Sequence, residues 1–238
     1  MAKKSGLGNQ FYFGGYDLSG DVGAINSISS PRGVVEVASI NQSAQDRLLT
    51  HSDGLIEFNS FFNDASNQEH AALKGLSTSD QHAMFLMGGS VGDVGAGLVG
   101  KQINYDGART ADGGLTFSAS VQGNATPVEW GVSLTTGKAT TGAASFATVD
   151  QSASSSSGAQ AYVQAFSIGS GTATAKVEDS TNGSSWDDLI TFTNITGRTA
   201  ERATVAGTVN RYVRCTVTGS ISSLVLAVLF RRGDAADI

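Results

Sequence analysis

Between residues 115 and 122 apolar and polar side chains alternate without a fault. Leu115, Phe117, Ala119 and Val121 fall on one side, and Thr116, Ser118, Ser120 and Gln122 on the other. Successive side chains of an extended chain point to opposite faces, so this run predicts a strand with one dry face and one wet, nearly uncharged face. Less regular runs predict strands at 11–16, 22–29, 34–40, 55–62, 82–87, 97–105 and 127–134. Two stretches carry helix formers instead. Residues 43–49 follow a possible Ser43 cap, and residues 67–74 end at Gly75, a helix stop. Asp53-Gly54, Asp106-Gly107 and Asp112-Gly113 supply tight-turn chemistry between the runs.

Beyond residue 158 short strands recur at roughly ten-residue spacing: 161–168, 172–178, 189–192, 203–205, 212–217 and 224–230. The last, Leu224-Val225-Leu226-Ala227-Val228-Leu229-Phe230, is apolar on both faces and must be central or covered on its second side. Residues 141–158 are rich in Gly, Ser, Thr and Ala, with Phe146 the one large side chain, and read as a flexible connector. The expected organisation is a first unit at 1–140, a linker at 141–158 and a second unit at 159–238. The fold class is mainly β: a sandwich or barrel with one or two short helices, then an antiparallel sandwich of immunoglobulin-like or jelly-roll type.

Composition strengthens this reading. The chain has thirty glycines in 238 residues, and charged residues are 15%, against typical values of about 7% and about 25%. Net charge is −6, which excludes a general electrostatic grip on nucleic acid. Eight basic and thirteen acidic residues put −5 on residues 1–140; seven and eight leave −1 on the remainder. Cys215 stands alone, so no internal disulfide is possible, and its place in an apolar run predicts a buried thiol. No apolar segment follows Lys3-Lys4, so no secretory leader is expected, and the longest apolar run is too short to span a membrane.

Candidate chemistry is sparse. Gly95-Ala96-Gly97-Leu98-Val99-Gly100 matches a dinucleotide-binding fingerprint, but a strand and turn follow it rather than a helix, so it reads as a glycine-rich loop. His51-Ser52-Asp53 are chain neighbours, which do not meet as a catalytic triad. His51, His70 and His82 lack ligand spacing, so no metal, cofactor or catalytic residue is expected. Trp186, Asp187 and Tyr212 form a candidate glycan contact on the second unit.

The residues Tyr16-Asp17-Leu18-Ser19-Gly20-Asp21-Val22-Gly23, the run from Asp53-Gly54-Leu55-Ile56 to Phe61-Phe62-Asn63, Lys101-Gln102-Ile103-Asn104-Tyr105-Asp106-Gly107 and Pro127-Val128-Glu129-Trp130-Gly131 together resemble the major tail (tail tube) proteins of long, non-contractile-tailed bacteriophages. The resemblance covers about residues 5–138; the second unit resembles the accessory sandwiches such proteins carry outside the tube. It implies a non-enzymatic virion protein made in the host cytoplasm, with hexameric rings stacked around a tape measure protein. Tail terminator and baseplate or tip proteins would cap the stack, and genomic DNA would pass through the bore without specific binding, with no membrane involved. On this reading Thr116, Ser118, Ser120 and Gln122 face the lumen. Residues 1–15 and 88–104, including Lys3, Lys4, Phe11, Gly92, Gly97 and Lys101, link one ring to the next. A capsid decoration protein and a carbohydrate-binding adhesin are the competing expectations.

Overall fold

The computed structural model describes residues 5–233, and all its paired strands are antiparallel. Strands β1 (Gln10–Phe13), β2 (Tyr16–Asp17), β3 (Val22–Ser29), β4 (Arg32–Glu36), β5 (Arg47–Ser52) and β6 (Leu55–Phe61) lead to a short helix, α1 (Glu69–Leu73). Then come β7 (Gln81–Leu86), β8 (Val94–Arg109), β9 (Leu115–Gly123) and β10 (Glu129–Ser133). The remainder holds β11 (Ala139–Thr141), β12 (Val149–Asp150), β13 (Ala159–Ile168), β14 (Gly171–Ser180), β15 (Asp187–Thr191), β16 (Thr199–Val205), β17 (Tyr212–Ile221) and β18 (Leu224–Arg232). The mainly-β expectation is met.

β8 organises the first half. Its sixteen residues serve two sheets: the first part lies between β7 and β10, and the second part pairs β9, which pairs β6, which pairs β3. Phe11, Phe58, Leu98 and Val121 fill the space between these layers. The glycine fingerprint lies within β8 and is buried strand, not loop. A Cβ on Gly97 would stand 2.7 Å from the Tyr162 ring, and one on Gly100 would stand 2.2 Å from the Gln122 carbonyl. These glycines permit close packing of strand on strand and hold no phosphate.

β18 joins the halves. It pairs β13 along one edge, and β10 and β11 along the other. Its alternation sends Leu224, Leu226, Val228 and Phe230 into the second sandwich, against Val177, Val213 and Cys215 of the facing sheet β12-β17-β14-β15. Ala227 and Leu229 point the other way, into a separate cluster with Tyr12, Met84, Leu86, Tyr162 and Phe166. A strand apolar on both faces is thus covered on both, as its sequence demands.

Polar groups close the same seam. Arg202 Nε donates to Glu129 at 2.7 Å, Tyr162 donates its hydroxyl to the same carboxylate at 2.5 Å, and Arg231 approaches to 3.7 Å. Glu129 is 3% exposed. Burial, with the Glu129 charge beside it, pushes the Tyr162 phenol pKa strongly upward. Gln164 accepts from the Gly15 amide at 2.7 Å and donates to the His82 carbonyl at 2.8 Å.

Three expectations are corrected. The 43–49 segment is no helix: Leu48 and Leu49 pair with Val35 and Val34 in a β4–β5 hairpin. Seven residues are too few to nucleate a stable helix in isolation, and β-branched partners lie opposite. The second helix is confined to Glu69–Leu73. Residues 141–158 are not a free tether but lie along β17. The Phe146 amide donates to the Cys215 carbonyl at 2.8 Å, the Val217 amide to Ala144 at 2.8 Å, and β12 pairs β17. Backbone bonds hold the segment, and Phe146 and Val149 pack against the second core.

The shared seam predicts that both halves unfold together. Glu129→Ala leaves Arg202 and Tyr162 without their buried partner and should destabilise by about 3–5 kcal/mol; fluorescence and circular dichroism in denaturant should trace one coincident transition. Two separate transitions in the wild-type chain would refute this coupling. Burial, reinforced by the Glu178 charge, pushes the Cys215 thiol up to about 12. Near pH 8 a thiol reagent should therefore label the chain only as fast as it unfolds; immediate stoichiometric labelling would contradict the packing.

Candidate assembly surfaces

The strand predicted from its alternation lies in the middle of the sheet β3-β6-β9-β8. Ala119 and Val121 are buried beneath it, while Thr116, Ser118 and Ser120 are half-buried and Gln122 is exposed on the opposite face. Register extends this face into rows. Lys101, Gln122, Leu55 and Ser29 form one; Asn104, Ser120, Glu57 and Ser27 the next; Asp106, Ser118, Asn59 and Ala24 the third. These rows consist mainly of hydroxyl and amide groups, and a fourth, Ala108, Thr116 and Phe61, adds an aromatic ring that is 59% exposed. Their single cation, Lys101, is held by Asp80 at 2.8 Å and by the Thr78 carbonyl, leaving the Glu57 and Asp106 carboxylates to set a mildly negative face.

Both margins of this sheet are unpaired among the described residues. β3 bonds only β6, and β8 from Lys101 to Arg109 bonds only β9. Each has a register irregularity, at Val22/Ala24 and Ile25/Ser27 in β3 and at Gln102/Asn104 in β8. Asn104 Oδ1 at that bulge is buried with no hydrogen-bond partner, and Ile103 beside it is exposed. α1 anchors the end of the sheet. Glu69 accepts from Ser60 Oγ at 2.7 Å and from the Tyr105 hydroxyl at 2.9 Å, while Asp21 accepts the Glu69 amide at 3.0 Å.

The β4–β5 hairpin is the second surface, and the sequence reading missed it. Val34 stands opposite Leu49 on one face and Val35 opposite Leu48 on the other. All four are exposed, Val34 by 53% and Leu49 by 63%, and Ile40 near the tip is fully exposed. A ribbon apolar on both faces cannot satisfy itself by lying on one surface; it needs cover from two sides. The signal is present in Val34-Val35 and Leu48-Leu49, separated by ten polar or small residues with Val37 and Ile40 among them.

Other predicted positions scatter. Phe11 is 2% exposed, packed on Phe58 with ring centroids 4.6 Å apart, and Gly97 is buried in mid-sheet; neither is available as a loop contact, because each fills the core. Gly92 lies at the exposed β7–β8 turn with positive φ. Lys101 sits at the margin of the polar face, and Lys3 and Lys4 lie outside the described residues. Trp186, Asp187 and Tyr212 do share one end of the β14/β15/β17 sheet, but Arg214 stacks on Trp186 at 4.1 Å and Arg211 on Tyr212 at 4.9 Å, so a guanidinium occupies one face of each ring. Among the described residues no group of three or more His, Cys, Asp or Glu is placed to hold a metal ion.

No protein-family model and no curated relative matches the chain. Among solved structures it is similar to the tail of an empty GTA particle determined with C6 symmetry (17% identity, 52% of this chain and 96% of that chain, TM-score 0.39). It is also similar to the Dit protein of SPP1, a hub adsorption apparatus of phages infecting Gram-positive bacteria (10%, 94% and 99%, 0.36). A third similarity is to a chain of the phage p2 baseplate in its activated conformation with Sr (8%, 95% and 99%, 0.33). These are distant similarities to tail and baseplate components.

The exposed ribbon yields a direct test. Val35→Ser with Leu48→Ser should leave monomer stability within about 0.5 kcal/mol, since neither side chain is buried. Self-association should weaken by about 2 kcal/mol, roughly thirtyfold, from the apolar burial lost. Sedimentation across a concentration series checks both parts; unchanged association would exclude the ribbon from the contact.

Proposed function

We propose that this chain is a non-enzymatic structural subunit of a phage-type tail, joined edge to edge into rings that stack into a conduit for DNA. The observation that carries the proposal is the β3-β6-β9-β8 sheet: mainly polar and mildly negative on one face, with both margins unpaired among the described residues. An exposed strand margin is a template for another strand, and natural proteins blunt or cover such margins unless they are used. Pairing β3 of one copy with the Lys101–Arg109 part of β8 in the next is a heterologous contact, which closes into a ring when the rotation per copy divides a full turn. It would also offer donors to the unmet Asn104 carbonyl oxygen.

Closure in this sense turns the row face toward the axis, with Thr116, Ser118, Ser120 and Gln122 lining the bore. A duplex moving past such a wall meets hydroxyls, amides and a few carboxylates. Each phosphate neutralised by a lysine or arginine would add salt-dependent affinity and drag. The ring count expected from the family resemblance is six, and a tape measure, a terminator and a baseplate or tip protein would be its partners in a virion. The β4–β5 ribbon, apolar on both faces, is then the arm that reaches between rings. The second sandwich, fixed by β18, rides on the outside as part of the same rigid body.

Negative-stain microscopy of the purified chain at high concentration should show annuli and short stacks; a protein monodisperse as a monomer at every concentration would remove the ring reading. In particles, Ser118→Arg with Ser120→Arg should leave tubes of normal length and reduce DNA delivery by an order of magnitude or more. Unchanged infectivity would mean that this face does not line the bore.

A further inference from the structure

Beside β3 the first sandwich is open. A groove of about 600 Å³ runs into its core, with Ile25 and Ile28 on one wall and Phe85, Met87 and Trp130 on the other. Trp130 is 45% exposed and also borders a smaller groove lined by Val132, Gln151, Phe230 and Arg232, so its indole stands where the two sandwiches meet. Among the described residues, none lining the larger groove carries a charge; Asn9, Gln10, Asn26 and serines are its polar lining.

The β4–β5 ribbon has the matching chemistry. From Val37 to Gln45 it carries no charged residue; at its stem Glu36 and Arg47 answer each other at 3.6 Å, with Asp46 beside them. Val37 and Ile40 are exposed on a tip otherwise made of small and uncharged polar residues, and such a tip can enter an uncharged cleft without stranding an ion in it. No residue of the ribbon lines the groove of its own chain. The Val128 amide donates to Ser30 Oγ at 2.7 Å, and the Asp53 amide to the Pro31 carbonyl at 2.9 Å, which pins the stem.

We infer that the groove beside Trp130 is the receptor for the β4–β5 ribbon of a second copy of this chain. The inference rests on the ring-and-stack reading and names the contact that reading leaves open. The groove is lined by β3 from Val22 to Ile28, so the ribbon packs along that strand. Every copy gives one ribbon and receives one, a head-to-tail contact that propagates without limit.

The test uses two full-length variants. The receiver has residues 37–45 replaced by Asn-Gly and carries Trp186→Phe, so Trp130 is its sole indole. The donor keeps its ribbon, is made silent by Trp130→Phe and Trp186→Phe, and has its own groove blocked by Asn26→Arg. Circular dichroism of each variant checks that it is folded. Mixing them should shift Trp130 emission to the blue, lower its quenching by iodide several-fold, and enrich complexes containing both variants. A donor that also lacks residues 37–45 should produce none of this. Absence of the shift, or an equal shift with the ribbonless donor, overturns the inference. Wild-type annuli formed with Trp130 still open to iodide would sink the docking site and keep the ring. A ribbon-dependent shift without annuli would keep the docking site and sink the ring.

Discussion

A strand with two apolar faces cannot stand at the surface of anything, and β18 is such a strand. Its burial on both sides obliges one sandwich to supply the cover for Leu226, Val228 and Phe230 and a separate cluster to cover Ala227 and Leu229. Burying apolar surface is the dominant favourable term in folding and has no direction of its own; here the alternation of one strand directs it into two cores at once. The positions of β10, β13 and the Glu129–Arg202 pair follow from that demand. Removing β18 would take a wall from the second core and part of the seam together.

The same rule explains what the chain leaves unfinished. Backbone groups along β3 and the far part of β8, and the four apolar side chains of the β4–β5 stem, are the places where pairing and burial stop short. Unpaired strand margins and exposed apolar side chains are the features by which one chain can recruit another. They differ in kind. The strand margins require hydrogen-bonding partners of fixed register, whereas the ribbon requires only apolar cover on both faces. Two chemically distinct deficits permit two distinct contacts.

Much of this was legible from periodicity. The alternation at 115–122 gave a strand with Ala119 and Val121 inside, and the unbroken apolar run at 224–230 gave a strand covered on both faces. Failures came where a local pattern was overruled by distant pairing. Ser43 to Leu49 contains good helix formers, but Leu48 and Leu49 meet Val35 and Val34 across a hairpin, and no local window contains both sides. The 141–158 segment was judged by its small side chains, yet its backbone bonds to β17. Phe11 and Gly97 were judged by glycine-rich surroundings, when Gly97 is small because Tyr162 lies against it. Composition measures what side chains contribute; it does not register what a backbone edge or a neighbouring ring requires.

The rigid seam changes what the second sandwich can do. Units joined by a flexible tether sample many orientations, and independent motion is the default for small polar interfaces. Here strand pairing, a buried cluster and a buried ion pair span the join, so the outer sheet holds a fixed angle to the row face. In a closed ring that angle is repeated at every copy, and the Lys176–Asp188, Glu178–Arg214 and Asp150–Arg211 pairs recur at regular intervals around the rim. Weak contacts presented at fixed spacing act together with high effective concentration, provided the geometry lets them engage simultaneously. Rigidity supplies that condition without any single strong site.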